Sequence, residues 1–596
     1  MICNMILKCS EDELSIALKE ESEYKCEQAT KSVYQDKKYK IKTFISDVSE
    51  NHIIDQVELF VNNKPITMYF DKNTGEYNSS NEALFSTLFG FVQFAVKICL
   101  EDSSELVFYS EYFVVAIRHN TETEEIEKSL SKMIDSIYGA DQSLMYQSGS
   151  QQRTFDNRGI GESAYKTLDA DISLLKTVIE VYTKNLLNFT QNPYGKVKKQ
   201  LVVDDFNKVN VINNNVIHYI ISHQEQLSVS NSKEGFRLGR KYYYPQKSLV
   251  EKSTIDTNVY ENQMVVSFLK YILCEVNSKK NLVNSMINQS IKINVDVNND
   301  YILSSSIIYK LTHFRIQSYV DKLTEIQIKL QSLYLQYRRI IKCDEIIISK
   351  GMLPMPTNII YTKQCYRNIY DTIIKWFQSG DCLYSQEKTL MNFVTADQIY
   401  EYYCLVTIVK LLKEMGFAIN DRSNISYKVP DKRFSNIDIN NYFKLSNGKI
   451  TAHFYYQPVI YSSNETDRYG IELFRVDDKF FTPDFIIKYI IDSKEEYLIL
   501  DSKWSNRKSI REYYYKDVIF KYGIATRNIN DINQMNSVWI LQGKNDVSKS
   551  SVDRLNKQAY ASNHDSFLWQ YGILTLTPEE NTNSLKDLLD VFLQRT

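Results

Sequence analysis

The charged residues that could do chemistry lie in two apolar runs near residue 490. The first run carries Asp484, and the second, at 497–504, carries Asp501 and Lys503. Because buried charges are costly unless they are paired or bound to metal, these three side chains require partners. Two carboxylates beside an ammonium predict a site for a hard divalent cation such as Mg²⁺, which can activate water next to a phosphoryl group.

The two apolar runs are typical of the strands of a β-hairpin, because a short polar stretch separates them. A turn centred between Ser493 and Lys494 would place Asp484 opposite Lys503, with Asp501 on the same face. The hairpin is therefore predicted to bring all three head groups into one patch. The alternative is a hairpin whose charges are solvated or form only a salt bridge.

The composition is that of a globular protein rather than of a polycation. The chain has 596 residues, a formal net charge of −2, 43% hydrophobic residues and 24% charged residues. This length predicts about three domains. Because the chain is nearly neutral, any contact with nucleic acid must come from local basic patches.

The cysteines, histidines and first residues argue against several classes of protein. The nine cysteines and seven histidines show no metal-ligand spacing, which argues against a zinc site and a disulfide framework. The first residues do not resemble a signal peptide, and no stretch is typical of a membrane span. We therefore expect a cytoplasmic protein with no membrane partner.

The predicted fold class is α+β with several domains. Residues 1–120 alternate like strands and are predicted to form a β-rich domain, either a sandwich or a small barrel. Residues 121–378 have mainly helical periodicity, and the long helix at 307–341 is either a coiled-coil arm or packed in its own domain. Residues 379–596 mix helices with strands and are predicted to form an α/β domain.

Two local basic stretches could contact nucleic acid. Within 235–247, Arg237, Arg240 and Lys241 lie among tyrosines that could stack on bases. The alternative for this segment is a β-hairpin with solvated cations and tyrosines packed on helices.

The second basic stretch follows the predicted hairpin. Residues 503–527 contain seven cations and two acids, a bias that suits a polyanionic substrate. We expect Arg507, Lys508 and Arg511 to contact DNA. The alternative is a helix whose charges are simply solvated.

The hairpin resembles the signature of PD-(D/E)XK nucleases, in the form Pro483-Asp484 followed by Asp501-Ser502-Lys503. The order of elements in 395–596, namely helix, strands, hairpin, helix and strand, is also similar to the core of that family. The resemblance implies a restriction-endonuclease-like fold. It also implies hydrolysis of DNA with Mg²⁺ or Mn²⁺ as the metal. It implies that Asp484 and Asp501 are metal ligands and that Lys503 is catalytic.

Two further site residues follow from this resemblance. In the family, a glutamate of the first core helix often reaches the metal, and Glu401 has the matching position here. Otherwise Glu401 would cap its helix or lie on the surface. The helix after the hairpin often adds a Lys, Tyr or Gln near the scissile phosphate, which implies Lys516 or Tyr515.

A narrower resemblance joins these motifs with an upstream mark at Asp256–Asn262. Together they resemble a bacterial family related to the McrC-type nuclease subunits of McrBC-like restriction systems. This implies DNA cleavage in antiviral defence, driven by a partner AAA+ GTPase or ATPase. The sequence has no Gly-x-x-x-x-Gly-Lys-Ser/Thr loop, so the motor would be a separate protein. The chain could also form a homo-oligomer, and the alternative function is that of a catalytically inactive assembly or regulatory subunit.

Overall fold

The structure is a computed structural model that divides into two compact units. The first unit comprises Met1–Gly159, Asn284–Ser318 and Leu383–Thr596, and the second comprises Ile160–Val283 and Tyr319–Cys382. No described helix is long and apolar enough to span a membrane. The described residues are 2–9, 12–20, 28–46, 54–62, 64–101, 105–140, 167–230, 235–288, 292–349, 353–382, 384, 395–427, 440–448, 450–463, 468–476, 480–491, 494–530, 536–544, 552–554, 571–578 and 582–594.

The amino-terminal part of the first unit is built on a nearly closed, barrel-like sheet. Its strands alternate between buried and outward residues, so that Cys3, Met5 and Leu7 of one strand are buried in the core. Of the two predicted forms of the β-rich region, the structure therefore has the barrel. Among the described residues, the strands of this sheet follow the order Lys64–Ile66, Ile54–Val61, Phe94–Leu100, Glu105–Tyr109, Asp12–Glu20, Ile2–Cys9, Lys40–Ser46, Glu76–Ser79 and Met68–Asp71.

A smaller sheet and one helix complete this part of the unit. The strand Phe113–Arg118 pairs in parallel with Lys31–Tyr34 and antiparallel with Phe91–Val92 and Tyr301–Leu303. The helix Thr121–Tyr138 follows the sheet. Two short strands also pair in parallel, Gln28–Ala29 and Lys292–Ile293.

The second unit is mainly helical. The side chains of Leu323, Leu330 and Tyr337 are buried, so the long helix that carries them is packed and is not a protruding arm. The helices found wholly or partly in this unit are Leu168–Gln191, Asn214–Ser222, Tyr260–Asn288, Ser304–Ile340, Asn358–Thr362 and Gln364–Gln378. The strands are the ribbon Lys196–Asp205 with Lys247–Asp256, and the sheet Leu227–Ser230, Lys241–Pro245 and Phe236–Leu238.

The motif Asp256–Asn262 takes part in a buried hydrogen-bond network within the second unit. The side-chain amide of Asn262 donates to the carbonyl oxygens of Tyr194 (2.7 Å) and Thr257 (2.8 Å). Its carbonyl oxygen accepts the hydroxyl of Tyr366 at 2.6 Å. Because Asn262 is fully buried, each of these polar groups needs its partner. In this structure the motif therefore connects three segments of the chain.

The carboxy-terminal part of the first unit is a mixed sheet with helices on both faces, which confirms the predicted mixture of helices and strands. One face packs against the helices Ala396–Glu414 and Asn583–Gln594. The other packs against the consecutive helical segments Arg507–Ser509, Ile510–Tyr514, Tyr515–Val518 and Ile519–Ile524. We call Ala396–Glu414 the first site helix and the four segments together the second site helix. The strand order is Ala418–Ser423, Tyr442–Ser446, Thr451–Tyr456, Phe485–Ile491, Lys494–Lys503, Ser537–Gln542, Tyr571–Thr575 and Val552–Arg554.

The predicted hairpin is present, but its register differs from the prediction. Phe485 pairs with Leu500, so Asp484 is level with Asp501 and not with Lys503. The predicted register would have set the buried Phe485 against the polar Ser502, whereas the observed one pairs two fully buried apolar side chains. Because the partner changes by two positions, the three charged residues keep a common face. The turn, at 492–493, lies outside the described residues.

Candidate active site

The ends of the two hairpin strands bring Asp484, Asp501 and Lys503 together. Asp501 and Lys503 lie two residues apart on the strand Lys494–Lys503, and Asp484 immediately precedes the neighbouring strand. The Nζ of Lys503 lies 2.6 Å from Oδ2 of Asp501 and 4.0 Å from Oδ2 of Asp484. Asp501 is 4% exposed, whereas the Lys503 side chain is 25% exposed. The patch therefore has a buried carboxylate and a more accessible ammonium.

Ser502 fixes the position of the Asp484 carboxylate. Both its backbone N–H and its hydroxyl donate to Oδ2 of Asp484, each at 2.6 Å. Its carbonyl oxygen accepts the Lys503 ammonium at 2.9 Å. The residue that only separates Asp501 from Lys503 in the sequence motif thus holds the third member of the patch in place.

Glu401 joins the site through Gln457. The side-chain amide of Gln457 donates to Oε1 of Glu401, and its backbone N–H donates to the carbonyl oxygen of Asp484, both at 2.7 Å. Gln457 has a φ of 46°, a left-handed conformation that is uncommon for residues other than glycine and often marks functional sites. The helix cap is Thr395, whose hydroxyl accepts the N–H of Gln398, so Glu401 does not have the alternative capping role.

The charges in the site perturb one another strongly. Burial, with the nearby charge of Asp484, raises the pKa of Glu401 above its ordinary value against the hydrogen bond from Gln457. Burial also raises the pKa of Asp501, and the charge of Lys503 opposes this shift. Burial alone would lower the pKa of Lys503, but the charges of Asp501 and Asp484 outweigh it and raise that pKa. Lys503 therefore stays an ammonium ion among carboxylates that resist ionisation.

Asp397 is a fourth carboxylate at the site, and the sequence analysis did not identify it. It lies one helical turn before Glu401, on the same side of the first site helix, and accepts the backbone N–H of Trp504. Burial raises the pKa of Asp397 to about 6, while the charges of Lys503 and Lys544 oppose the shift. Its spacing from Glu401 is visible in the sequence, but an acid in a first helical turn is common for electrostatic reasons alone.

The donor set fits a hard divalent cation by its chemistry. Asp484, Asp501 and Glu401 offer carboxylate oxygens, the ligands that Mg²⁺ prefers. Burial and the charge of Asp484 raise the pKa of Glu401 and of Asp501, and a cation would favour the ionised form of both. Within the described part of the chain, no three acidic, histidine or cysteine side chains are already grouped closely enough to hold a metal ion. Since Lys503 contacts Asp501 directly, binding of a cation would require these side chains to rearrange.

The second site helix is irregular where it passes the patch. It contains two π-helical segments, Ile510–Tyr514 and Ile519–Ile524, and such wide turns are frequent at functional sites. The ring of Tyr514 lies 5.9 Å from Nζ of Lys503. The hydroxyl of Tyr522 donates to the carbonyl oxygen of Thr482, two residues before Asp484. The wide turns thus lie where the helix contacts both sides of the site.

Lys516, which the resemblance implied as catalytic, points into solvent. Its side chain is exposed on the second site helix. The charge of Lys521, on the same helix, is one of those that oppose the rise in the pKa of Asp501. Tyr515 is half-buried on the same helix.

Arg507 has a different place from the one expected for a DNA contact. It is 3% exposed, and its guanidinium donates to Oε1 of Gln542 (3.3 Å) and to the hydroxyl of Thr575 (3.2 Å). It therefore connects the ends of two strands inside the protein, and the expectation of a DNA contact is corrected. The other predicted DNA-binding cations are exposed: Lys508 and Arg511 on the second site helix, and Arg237, Arg240 and Lys241 in the second unit.

Comparison with known protein families supports a nuclease module at this site. A family model described as the PD-(D/E)XK nuclease superfamily matches residues 398–540. The matched stretch contains Glu401, Gln457, Asp484, Asp501 and Lys503, whereas Asp397 lies just outside it. No curated protein matches the chain. The chain thus has a carboxy-terminal PD-(D/E)XK module, which suggests a nuclease.

Proposed function

We propose that this chain is a metal-dependent DNA endonuclease with Asp484, Asp501, Lys503 and Glu401 at its catalytic centre. The observation that supports this function is the convergence of two carboxylates on one ammonium, within 4.0 Å, at the end of a hairpin. That hairpin lies within the matched PD-(D/E)XK module. Carboxylates and an ammonium grouped in this way suit hydrolysis of a phosphodiester.

Each residue of the proposed catalytic centre has a defined task. Asp484, Asp501 and Glu401 would hold Mg²⁺ or Mn²⁺, and the bound ion would lower the pKa of a water molecule and offset charge on the phosphate. Ser502 and Gln457 orient two of these carboxylates through the hydrogen bonds described above. Lys503, kept charged by its acidic neighbours, donates to the attacking water or to a phosphate oxygen.

Exposed cations would bind the DNA backbone. Lys508, Arg511 and Lys521 are exposed on the second site helix. Such cations attract a polyanion by releasing its counterions, which makes binding weaker at high salt. Arg237, Arg240 and Lys241 form a second candidate surface in the second unit.

The narrower proposal is a McrC-like cleavage subunit of a restriction complex that acts in antiviral defence in the cytoplasm. Its support is the joint resemblance of the motifs around Glu401, Asp484, Asp501 and Tyr515-Lys-Asp517, together with Asp256–Asn262. Because the sequence has no phosphate-binding loop for a nucleotide, an AAA+ GTPase or ATPase would be a separate partner. Assembly of several copies is part of this proposal.

One observation favours a second candidate function, that of an inactive assembly or regulatory subunit. The Lys503 ammonium contacts Asp501 at 2.6 Å, and the described acidic side chains are not arranged as a complete metal site. A pair of this kind could be only a structural salt bridge. The two candidates differ in whether the purified chain cuts nucleic acid.

The experiment is a cleavage assay on supercoiled plasmid, circular single-stranded DNA and RNA. Each substrate is incubated with Mg²⁺, Mn²⁺ or EDTA, with and without a candidate AAA+ partner encoded beside this chain. We expect nicked or linear plasmid in Mg²⁺ and intact plasmid in EDTA. Intact substrates under every condition would support the inactive subunit, and cleavage of RNA alone would correct the substrate class.

A further inference from the structure

A tyrosine of the second site helix lies against the catalytic lysine. The ring centroid of Tyr514 is 5.9 Å from Nζ of Lys503, within the reach of a cation–π contact. The π-helical segment that ends at Tyr514 places this ring. Lysine has a flexible four-carbon stem, so a ring at this position restricts where the ammonium can go.

The hydroxyl of that tyrosine is held by the β-rich region. The Tyr514 hydroxyl and the Thr87 hydroxyl are 2.9 Å apart, and either can be the donor. Tyr514 also forms a hydrogen bond with Ser505, two residues after Lys503. Thr87 and Tyr514 are separated by 427 positions in the sequence. The contact therefore joins the β-rich part of the first unit to its carboxy-terminal part.

The segment that carries Thr87 is anchored on both sides. The side chains of Phe85 and Phe89 are almost completely buried, and the N–H of Leu88 donates to the carbonyl oxygen of Phe85 at 3.0 Å. The carbonyl oxygen of Phe89 accepts the N–H of Ala396, also at 3.0 Å. One anchored segment therefore contacts both the start of the first site helix and the tyrosine beside Lys503.

We propose that Thr87 and Tyr514 are positioning residues of the nuclease site, and that the β-rich region fixes the Lys503 ammonium through them. This inference rests on the proposed function for its role in catalysis, but the geometry itself concerns Lys503 alone. The hydrogen bond between the Thr87 and Tyr514 hydroxyls holds the tyrosine ring in place, and that ring limits the rotamers of Lys503. Thr87 lies outside the stretch that matches the PD-(D/E)XK family model.

The test compares Thr87→Val, Thr87→Ser and Tyr514→Phe with the unchanged full-length protein. Valine has the shape of threonine without its hydroxyl, whereas serine keeps the hydroxyl. The first measurement, in EDTA, is the acylation rate of Lys503 by an amine-reactive ester, followed by peptide mass spectrometry. Lys508 is the internal reference, because its side chain is 80% exposed and that of Lys503 is 25% exposed.

We expect Thr87→Val and Tyr514→Phe to raise the acylation of Lys503 relative to Lys508 by about two- to fivefold, as for the loss of one exposed cation–π contact. Thr87→Ser should behave like the unchanged protein. A double variant that combines Thr87→Val with Tyr514→Phe should not exceed either single variant. Unchanged acylation of Lys503 in folded Thr87→Val would overturn the proposal. A purely structural role would instead also raise the acylation of Lys488, whose side chain is buried in the same sheet, through partial unfolding, and would overturn the proposal too.

The second measurement is cleavage of plasmid in Mg²⁺ beside the affinity for the same DNA. We expect Thr87→Val to slow cleavage by about threefold or more without weakening DNA binding, and Thr87→Ser to restore the rate. If the unchanged protein does not cleave at all, the proposed function fails, while the acylation rates still decide whether Thr87 positions Lys503. Normal cleavage by Thr87→Val, despite raised acylation of Lys503, would contradict the catalytic part of the inference.

Discussion

At the scale of single residues, the site contains more carboxylates than cationic side chains that could neutralise them. Asp397, Glu401, Asp484 and Asp501 surround Lys503, and burial raises the pKa of Glu401 and of Asp501. A buried carboxylate that resists ionisation lowers the free energy of unfolding whenever it is charged. The buried carboxylates therefore lower the stability of the protein, which fits the proposed catalytic role because active sites commonly have such a cost.

Glu401→Gln should make the stability of the metal-free protein less sensitive to pH. Because the pKa of Glu401 is raised in the folded state, the folded protein holds this proton more tightly than the unfolded chain does. Stability should therefore fall as the pH rises from about 4.3, the ordinary value for glutamate, through the raised value. Urea denaturation in EDTA between pH 5 and pH 8.5 measures this slope. Equal slopes for both proteins would show that Glu401 ionises normally.

Lys521→Ala should impair cleavage more than Lys516→Ala. The charge of Lys521 acts on Asp501, whereas Lys516 lies exposed on the same helix and makes a matched control. We expect a loss of rate of about two- to fivefold for Lys521→Ala, the effect of one exposed charge on a neighbouring carboxylate. Single-turnover cleavage at saturating protein separates this loss from weaker DNA binding. A greater loss for Lys516→Ala would restore the role implied by the family resemblance.

Some site residues could be predicted from the sequence and others could not. Asp484, Asp501 and Lys503 were predictable, because each is a charge inside an apolar run. Gln457 gave no signal, since its role depends on a left-handed backbone conformation and on two neighbours distant in the sequence. The cations of the second site helix were predictable as a group, but which of them is buried depends on the irregular turns of that helix. Arg507 is for this reason inside the protein and not on the DNA-facing surface.

At the scale of elements, the hairpin was predictable but its register was not. Apolar alternation defines which residues share a face, and that survives a shift of two positions. The exact partner depends on the turn, and the polar residues between the strands allow more than one centre. The first site helix was predictable from its cap and its apolar residues, whereas the two π-helical segments of the second site helix have no clear sequence signal.

The motif Asp256–Asn262 should matter for the stability of the second unit and not for chemistry. Asn262→Ala would leave the Tyr366 hydroxyl and the carbonyl oxygen of Tyr194 without their buried partner. We expect a loss of about 1–3 kcal/mol in the free energy of unfolding, measured by urea denaturation. Asn188→Ala is the control, because Asn188 is exposed on a helix of the same unit. A loss of cleavage without a loss of stability would show that this motif has a functional role.

At the scale of the whole molecule, the β-rich and carboxy-terminal regions share one hydrophobic core. Phe85, Phe89 and Met133 belong to the same buried cluster as Ile399 and Tyr403 of the first site helix. The predicted domain boundary at residue 379 rests on the turn-forming stretch Ser379-Gly380-Asp381. A core built from segments several hundred residues apart leaves no local signal, so that common core could not be predicted from patterns along the chain.

A fragment of residues 379–596 should therefore be far less stable than the same residues in the full chain. Without residues 1–140 the apolar side of the first site helix loses part of its cover, and exposed apolar surface lowers stability in proportion to its area. Thermal unfolding of the fragment, followed by circular dichroism, tests this expectation. A cooperative transition at the midpoint of the full-length protein would show that the nuclease module folds by itself.

The central claim is that Asp484, Asp501 and Lys503 form a catalytic centre and not a structural salt bridge. The most direct measurement is plasmid cleavage in Mg²⁺ by Asp501→Asn, beside its melting curve in EDTA at pH 8. Because burial raises the pKa of Asp501, removing its charge should leave the melting temperature unchanged or raise it. Cleavage should fall by at least about 10³-fold, since residues that act as a unit fail together. Breaking a buried structural pair would instead cost about 3–5 kcal/mol, so early melting with cleavage retained would contradict the account.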